Sequence, residues 1–326
     1  ILDLKDPEQH RLALTLAARA DVLIENYRAG VMSRLGLGYE VVSAENAGLI
    51  YCSSGSFGPR GPMARVGSTD PQGQAFSGFA SLNGRPGVKA EVTRHHAYID
   101  MTTSFYLVQA ILAALYHRQR SGRGQHIQTS QMHAAIALQT SRLGHYFSTG
   151  EAPRPMGSGV PHVVPSQAFR ARDGRWINVS VVTPRQWSSL CAALGRPELA
   201  TDPRFATNAA RVEHRAELLE ILEAAIADAE GTFWLGRLEA AGVPCSSYLE
   251  YEDLVHHEHF RATPVLQEVG LPDGTPLLTS GLPWRFETLD TRMHPAPEPG
   301  QDAAEVIGAL REGEWPEGAR EVAKVD

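Results

Sequence analysis

The sequence predicts an α/β protein with a Rossmann-like large domain built on a parallel sheet and a smaller α+β domain. Three observations favour this class. Short apolar runs at 22–24 and 49–52 alternate with helical patterns, which is typical of buried parallel strands. Proline and glycine become frequent after Gly150, which marks a linker. Two Asp-Gly pairs, at 173–174 and 273–274, then predict tight hairpin turns.

In chain order, Ile1-Leu2-Asp3-Leu4 is typical of a strand end, and Asp6 is a good N-cap for the helix that follows. Residues 101–118 predict a strong helix, His126-Ile127-Gln128 a short strand, and 131–147 a further helix. Because the chain opens on a strand end without Met, we expect that an N-terminal β-α segment is missing or lies on another chain.

These patterns predict three segments. Residues 1–150 form the remainder of a large α/β domain. Residues 151–250 contain a linker and the small α+β domain. Residues 251–326 return to the large domain and end in a charged tail.

Composition and charge argue against some classes of partner. The chain has 326 residues and a formal net charge of −7, so we expect no nucleic-acid binding, which requires a basic face. No continuous apolar run approaches the roughly 20 residues of a transmembrane helix, and we expect no membrane partner. Cys52, Cys191 and Cys245 lack paired spacing, which favours reduced thiols and a cytoplasmic location.

Several familiar signatures are absent. The sequence has no GxGxxG after a strand, no GxxxxGK[ST], no HExxH and no GxSxG. The run His256-His257-Glu258-His259 could indicate a metal site, but no further ligands follow at zinc-site spacing. We interpret it as a solvated helix end and predict no metal.

A cationic segment follows the first internal strand. Asn26-Tyr27-Arg28-Ala29-Gly30 comes directly after the apolar run, where ligands of open α/β sheets bind. Arg28 and Arg34, with Lys5 near the neighbouring strand, would suit a phosphorylated ligand. The alternative is that these three are ordinary surface cations.

Asp100 precedes the predicted helix at 101–118. Its simplest role is that of an N-cap, worth about 1 kcal/mol. The functional alternative uses the same geometry, because a carboxylate held ionised at a helix N-terminus can act as a nucleophile. Gly157-Ser158-Gly159 is either a mobile loop near an active site or part of the linker.

Eight segments occur together in the order of one known family. They are LDLK (2–5), ADVLIENYRAG (20–30), RLG (34–36), LIYC (49–52), QAFSG (74–78), DMTT (100–103), RSGRGQ (120–125) and PSQAF (165–169). In these the sequence resembles the class III CoA-transferases of the CaiB/BaiF type. That group includes formyl-CoA and carnitine CoA-transferases and the related α-methylacyl-CoA racemases.

The resemblance implies roles for particular residues. Asp100 falls on the family's catalytic aspartate, and Gly157, Ser158 and Gly159 fall on a glycine loop that covers it in some members. Segments that line the CoA site contain Lys5, Asn26, Tyr27, Arg28, Arg34 and Leu35. The resemblance further implies an acyl-CoA and a carboxylic acid as substrates, no permanently bound cofactor, and an intertwined homodimer.

The implied chemistry is a covalent relay. Asp100 attacks an acyl-CoA thioester and gives an aspartyl-acyl anhydride and CoA thiolate. The thiolate attacks the aspartyl carbonyl, which releases the first acid and leaves an aspartyl-CoA thioester. An incoming carboxylate reverses the sequence, so that one difficult exchange is divided into easier steps.

Two departures from the family leave alternatives open. Ser68-Thr69-Asp70 stands where Gly-Tyr-Asp is common, and Val160 stands where His is common. The racemase branch uses a His at the position of Thr69, and a Thr hydroxyl is not a base near neutral pH, so the transferase is favoured over a racemase. A further alternative is an inactive or incomplete subunit that needs a partner.

Overall fold

A computed structural model describes residues 1–88, 90–263, 265–271, 273–289 and 291–313. The chain forms two compact units. Among the described residues, the first contains 1–155 and 296–313, and the second contains those within 156–295. The second unit therefore includes residues within 251–295, which were predicted to belong to the return segment.

The first unit alternates helices and strands. Its elements up to residue 149 are α1 (Pro7–Arg19), β1 (Val22–Glu25), α2 (Val31–Arg34), α3 (Tyr39–Glu45), β2 (Ile50–Gly55), α4 (Asp70–Phe76), α5 (Tyr98–Ser121), β3 (Gln125–Ser130), α6 (Gln131–Leu138) and α7 (Thr140–Thr149). The strands form one parallel sheet in the order β1-β2-β3. The predicted α/β class with a parallel sheet is confirmed.

Strand β2 forms the centre of this sheet and is buried on both faces. Its Tyr51 packs into a cluster with Ala17 of α1 and Val42 of α3. Ile50 and Cys52 point the other way, as alternation along a strand requires, and pack with α5. Helices therefore cover both faces, which explains why 49–52 is apolar throughout.

Helix α5 begins at Tyr98, three residues earlier than predicted. Helix α5 is apolar on two sides. Leu107 and Ala114 are buried against the sheet, whereas Leu112 is 61% exposed and Tyr116 58% exposed. By length and composition alone α5 could cross a membrane, but this is weak evidence because core helices of soluble proteins pass the same test.

The second unit is α+β. Its elements are β4 (Ser166–Arg170), β5 (Trp176–Ser180), α8 (Pro184–Ala193), α9 (Asn208–Glu213), α10 (Arg215–Ile226), α11 (Gly231–Ala240), β6 (Cys245–Ser247), α12 (Tyr251–His256), α13 (Glu258–Ala262), β7 (Leu266–Gly270) and β8 (Pro276–Ser280). Both predicted hairpins, β4–β5 and β7–β8, are present and antiparallel. The chain then returns to the first unit as α14 (Ala303–Arg311).

Two local predictions differ from the structure. Residues 1–4 form no strand. The predicted helix at 131–147 is divided into α6 and α7 at Gln139, whose side-chain amide donates to Ser77 O at 3.1 Å and to Ala135 O at 2.9 Å. The bond to Ser77 connects the helix break to the residue that follows α4, and the bond to Ala135 lies within α6.

Candidate active site

The carboxyl ends of the three parallel strands meet at one edge of the sheet, and a cavity opens there. Its volume is about 670 Å³, within the range of about 300–1,000 Å³ that is usual for ligand pockets. It is lined by residues of β2 and β3 and by residues 25–30, 38–40 and 66–69. The cavity thus lies where ligands of open α/β sheets bind.

Two arginines lie against glycines at this cavity. A Cβ on Gly67 would come within 2.9 Å of Arg28 Nε and Nη2, so the guanidinium rests on the glycine backbone. Gly30 has φ +83°, and a Cβ there would lie 3.4 Å from Arg34 Nη1. Arg28, Gly67 and Gly30 line the cavity. Gly67 leaves room for the Arg28 guanidinium, which a Cβ there would displace, whereas at Gly30 the positive φ is what favours glycine.

Only some of the residues predicted to line the CoA site lie together at the cavity. Asn26, Tyr27 and Arg28 line the cavity, whereas Lys5, Arg34 and Leu35 are not among its lining residues. The carbonyl of Leu35 contacts His10 Nε2 at 2.5 Å, and the backbone N–H of Lys5 donates to Asp3 Oδ1 at 2.9 Å. Arg34 lies beside Gly30, which lines the cavity, since a Cβ built on Gly30 would be 3.4 Å from Arg34 Nη1.

An aromatic cluster forms another part of the cavity wall. Tyr39 stacks on His126 with ring centroids 4.8 Å apart, and Tyr51 meets the same imidazole edge-on at 5.2 Å. His126 Nε2 is 2.9 Å from Ser53 Oγ. Burial lowers the pKa of His126 against the opposing charges of Glu40 and Glu25, which keeps the imidazole neutral near pH 7.

Asp100 is the third residue of α5 and is not its N-cap, which is Ala97. The capping acceptor comes from α4. Asp70 Oδ2 accepts the backbone N–H of Ile99 at 2.7 Å and that of Asp100 at 3.1 Å. The predicted capping role therefore belongs to Asp70, and the side chain of Asp100 is left exposed for another role.

Asp70 is itself fixed by a buried glutamine. The Gln74 amide donates to Asp70 Oδ1 and, at 3.0 Å, to Thr93 O. Gln74 Oε1 in turn accepts from Thr93 N at 3.0 Å. Asp70 is 5% exposed and Gln74 is fully buried, so the cap on α5 has little freedom to move.

The side chain of Asp100 has one strong contact. Gln131 Nε2 donates to Asp100 Oδ1 at 2.5 Å, and within the described residues no donor reaches Oδ2. Asp100 is not one of the residues that line the cavity, but Thr69 and Gln72 are. These two lie on either side of the Asp70 segment that caps the helix of Asp100.

The predicted glycine loop lies in the second unit. Gly157 has φ +61°, and Ser158 Oγ accepts the backbone N–H of Ala168 at 2.9 Å. The amide of Gly159 donates to Met156 O at 3.0 Å. Its role as a cover over Asp100 stays a prediction.

Two contributors were missed from the sequence. Asp70 was noted only as part of a departure from the family pattern, although Thr69-Asp70-Pro71 has the composition of a helix start. Gln131 follows Ser130, the N-cap of α6, but no local pattern indicates that its side chain faces Asp100. Among the described residues no group of three or more His, Cys, Asp or Glu side chains could hold a metal ion.

Known proteins are similar to this chain in sequence and in structure. The CoA-transferase family III profile matches residues 1–303. The chain is 33% identical to acetyl-CoA:oxalate CoA-transferase of Acetobacter aceti, covering 86% of this chain and 72% of that protein. It is 32% identical to succinate–glutarate CoA-transferase of Agrobacterium fabrum, covering 95% and 77%. A CAIB/BAIF family protein from Brucella suis has a similar structure, with TM-score 0.78, 32% identity and coverage of 95% and 80%.

Proposed function

Because the chain belongs to CoA-transferase family III, we propose that this CoA-transferase works through covalent intermediates on Asp100. The observation that carries the proposal is the pair of contacts on this residue. Asp70 holds its backbone at the start of α5, and Gln131 holds one carboxylate oxygen while the other is left without a donor among the described residues. Such a carboxylate is fixed and has one free nucleophilic oxygen.

The proposed reaction is the covalent relay that the resemblance to the family implies. Asp100 attacks the acyl-CoA carbonyl and forms an aspartyl-acyl anhydride with loss of CoA thiolate. The thiolate attacks the aspartyl carbonyl, which releases the donor acid and leaves an aspartyl-CoA thioester. The acceptor carboxylate then repeats both steps in reverse. In each step a thiolate or a carboxylate replaces the group bound to a carbonyl carbon, so no water is consumed.

We place CoA in the cavity at the carboxyl ends of the strands. Arg28 offers a guanidinium at the cavity wall, which matches the phosphate groups of CoA in charge and fork geometry. Asn26 and Tyr27 line the same wall. Lys5, Arg34 and Leu35 complete the proposed set, and Arg34 lies beside Gly30, which lines the cavity.

The acceptor is proposed to be a small carboxylic acid. The relatives compared above are named for oxalate in one case and for succinate and glutarate in the other. Dicarboxylates are therefore the first class of acceptor to examine, followed by hydroxy acids.

The proposal is tested by supplying acyl-CoA donors with a panel of acceptors. We expect one new CoA thioester for each donor acid released, with parallel double-reciprocal plots that indicate a ping-pong mechanism. Thioester hydrolysis without transfer would contradict the proposal. Deuterium exchange at the α-carbon of a 2-methylacyl-CoA without an acceptor would favour the racemase instead.

We further propose that the protein acts as a homodimer and that α5 lies in the interface. Its exposed residues Met101, Phe105, Val108, Leu112 and Tyr116 recur at intervals of three or four, which places them on one helix face. A continuous apolar stripe of this kind marks an interaction surface.

Light scattering tests the proposed dimer. We expect twice the chain mass for the wild-type protein and a single chain mass for Leu112→Glu. Glu223→Gln, a change on an exposed residue of α10, is the control. A wild-type monomer would contradict the proposed dimer. Flotation of that monomer with lipid vesicles would indicate that the apolar stripe binds a membrane.

A further inference from the structure

Gln131 lies where β3 passes into α6, and its side-chain amide meets the proposed nucleophile. Nε2 donates to Asp100 Oδ1 at 2.5 Å. An ionised carboxylate only accepts hydrogen bonds, so the NH2 end of the amide must face it. The opposite end, Oε1, is buried and has no hydrogen-bond partner among the described residues.

Folding alone does not explain an amide at this position. The buried Oε1 without a donor costs folding free energy, and an apolar side chain of similar length would avoid that cost. Ser130 already caps α6, accepting the backbone N–H of His133 at 3.2 Å. The contact with Asp100 is what the amide provides.

The surroundings hold the amide in place. A Cβ built on Gly73 of α4 would lie 3.7 Å from both Cβ and Oε1 of Gln131, so α4 packs closely beside it. Helices α4 and α6 thus act on the same residue of α5. Asp70 holds the backbone of Asp100, and Gln131 holds its side chain. A donor fixed in this way needs little reorganisation when charge develops in front of it.

We propose that Gln131 is a catalytic residue whose amide N–H stabilises the oxyanion that forms on Asp100 Oδ1 whenever Cγ is attacked. The inference rests on the proposed function, in which Asp100 is the covalent carrier. The two carboxylate oxygens then have separate tasks. Oδ2, which has no donor within the described chain, is the nucleophile, and Oδ1 becomes the carbonyl oxygen of the intermediates.

The electron balance defines the step that Gln131 assists. In the anhydride, Oδ2 joins Asp100 Cγ to the donor acyl carbon. CoA thiolate attacks Cγ, and the π electron pair moves onto Oδ1, which receives the Gln131 hydrogen bond. When the C=O bond re-forms, the Cγ–Oδ2 bond breaks and the donor acid leaves as its carboxylate. Attack of the acceptor carboxylate on the thioester passes through the same oxyanion.

Gln131→Leu and Gln131→Met test this role. Loss of one oxyanion donor lowers kcat by about 10²- to 10³-fold. KM for the acyl-CoA should stay within about twofold, because Gln131 is not among the residues that line the cavity. Thermal stability should be equal to wild type or higher, since the unpaired Oε1 is removed. If Gln131 had only a structural role, both variants would be less stable than wild type, and kcat would not fall at constant KM.

A single-turnover measurement separates this inference from the proposed function. Protein is mixed with acyl-CoA alone and quenched, and the Asp100–CoA adduct is followed by peptide mass spectrometry. We expect its formation to slow in parallel with kcat in both variants and to be unchanged in Gln119→Leu, an exposed glutamine on the last turn of α5.

Adduct formation at the wild-type rate in both Gln131 variants would overturn the inference and leave the proposed function intact. Absence of any adduct in a wild-type protein that transfers CoA would overturn the proposed function, and this inference with it.

Discussion

Asp70 Oδ2 accepts the backbone N–H of Asp100 at 3.1 Å, although the two residues belong to different helices. The same oxygen accepts the N–H of Ile99 at 2.7 Å. A buried carboxylate therefore satisfies two free donors at the start of α5 and fixes the backbone from which Asp100 projects. The exposed carboxylate of Asp100 therefore does not cap α5, although its position in the sequence favours that role.

Removal of this cap should impair catalysis more than stability. Asp70→Ala leaves two N–H groups without an acceptor, and we expect a loss of about 2 kcal/mol in the free energy of unfolding. A displaced nucleophile should lower kcat by about 10²-fold. Urea titrations and steady-state kinetics measure the two effects.

The control for this variant is Thr183→Ala, which removes the N-cap of α8 in the second unit. It should cost about 1 kcal/mol and leave kcat unchanged. If Asp70→Ala also kept its kcat, Asp70 would be a helix cap with no part in positioning Asp100.

Replacement of Arg28 should weaken CoA binding through the phosphates. Loss of a hydrogen bond to a charged group costs about 1.5–3 kcal/mol, so calorimetry with Arg28→Met should show CoA bound about 10- to 100-fold more weakly. An acyl-pantetheine donor lacks the phosphates, and its KM should be unchanged. Arg123→Met, in the exposed turn between α5 and β3, is the control.

Gly67 offers an independent test of the same contact. A Cβ at this position comes within 2.9 Å of the Arg28 guanidinium, and that flexible side chain is what must move. Gly67→Ala should therefore weaken CoA binding in the same direction as Arg28→Met, and the double variant should be no weaker than Arg28→Met alone. Additive losses would show that Arg28 does not depend on Gly67.

His126 should make stability depend on pH. Burial lowers the pKa of this imidazole below its usual 6.5, although Glu40 and Glu25 oppose the shift. The unfolded chain then binds more protons than the folded chain in mildly acidic solution. The stabilisation from neutral His126 is present above pH 6.5 and is lost as the pH falls through the folded-state value.

Urea titrations between pH 5 and 8 measure this effect, where about pH 5–8 spans the range in which histidine charge changes. Wild-type protein should lose stability on acidification more steeply than His126→Gln. Identical slopes would show that His126 is not the group that titrates.

Much of the fold could be predicted from local patterns. The apolar run at 49–52 marks β2 because that strand is covered on both faces, and Gly174 with φ +84° closes the hairpin that Asp173-Gly174 predicts. The start of α5 could not be predicted, because its cap, Asp70, is supplied from 30 residues away. Likewise, the break at Gln139 depends on a bond to Ser77.

The site was only partly predictable for the same reason. Asn26 to Gly30 follow a strand directly, so their place at the sheet edge can be read from the sequence. Gln131 reaches Asp100 only because α4, α5 and α6 start near one another. Its contact spans 31 residues, and no periodicity or spacing encodes such a contact.

Trapping the intermediate tests the central claim most directly. Wild-type protein is incubated with acyl-CoA and hydroxylamine, digested, and analysed by tandem mass spectrometry. An aspartyl-CoA thioester or anhydride reacts with hydroxylamine to give a hydroxamate. We predict that the hydroxamate forms at Asp100, and that Asp100→Asn gives neither hydroxamate nor transfer while its thermal stability is retained. A hydroxamate at another carboxylate, or full transfer by Asp100→Asn, would contradict the account.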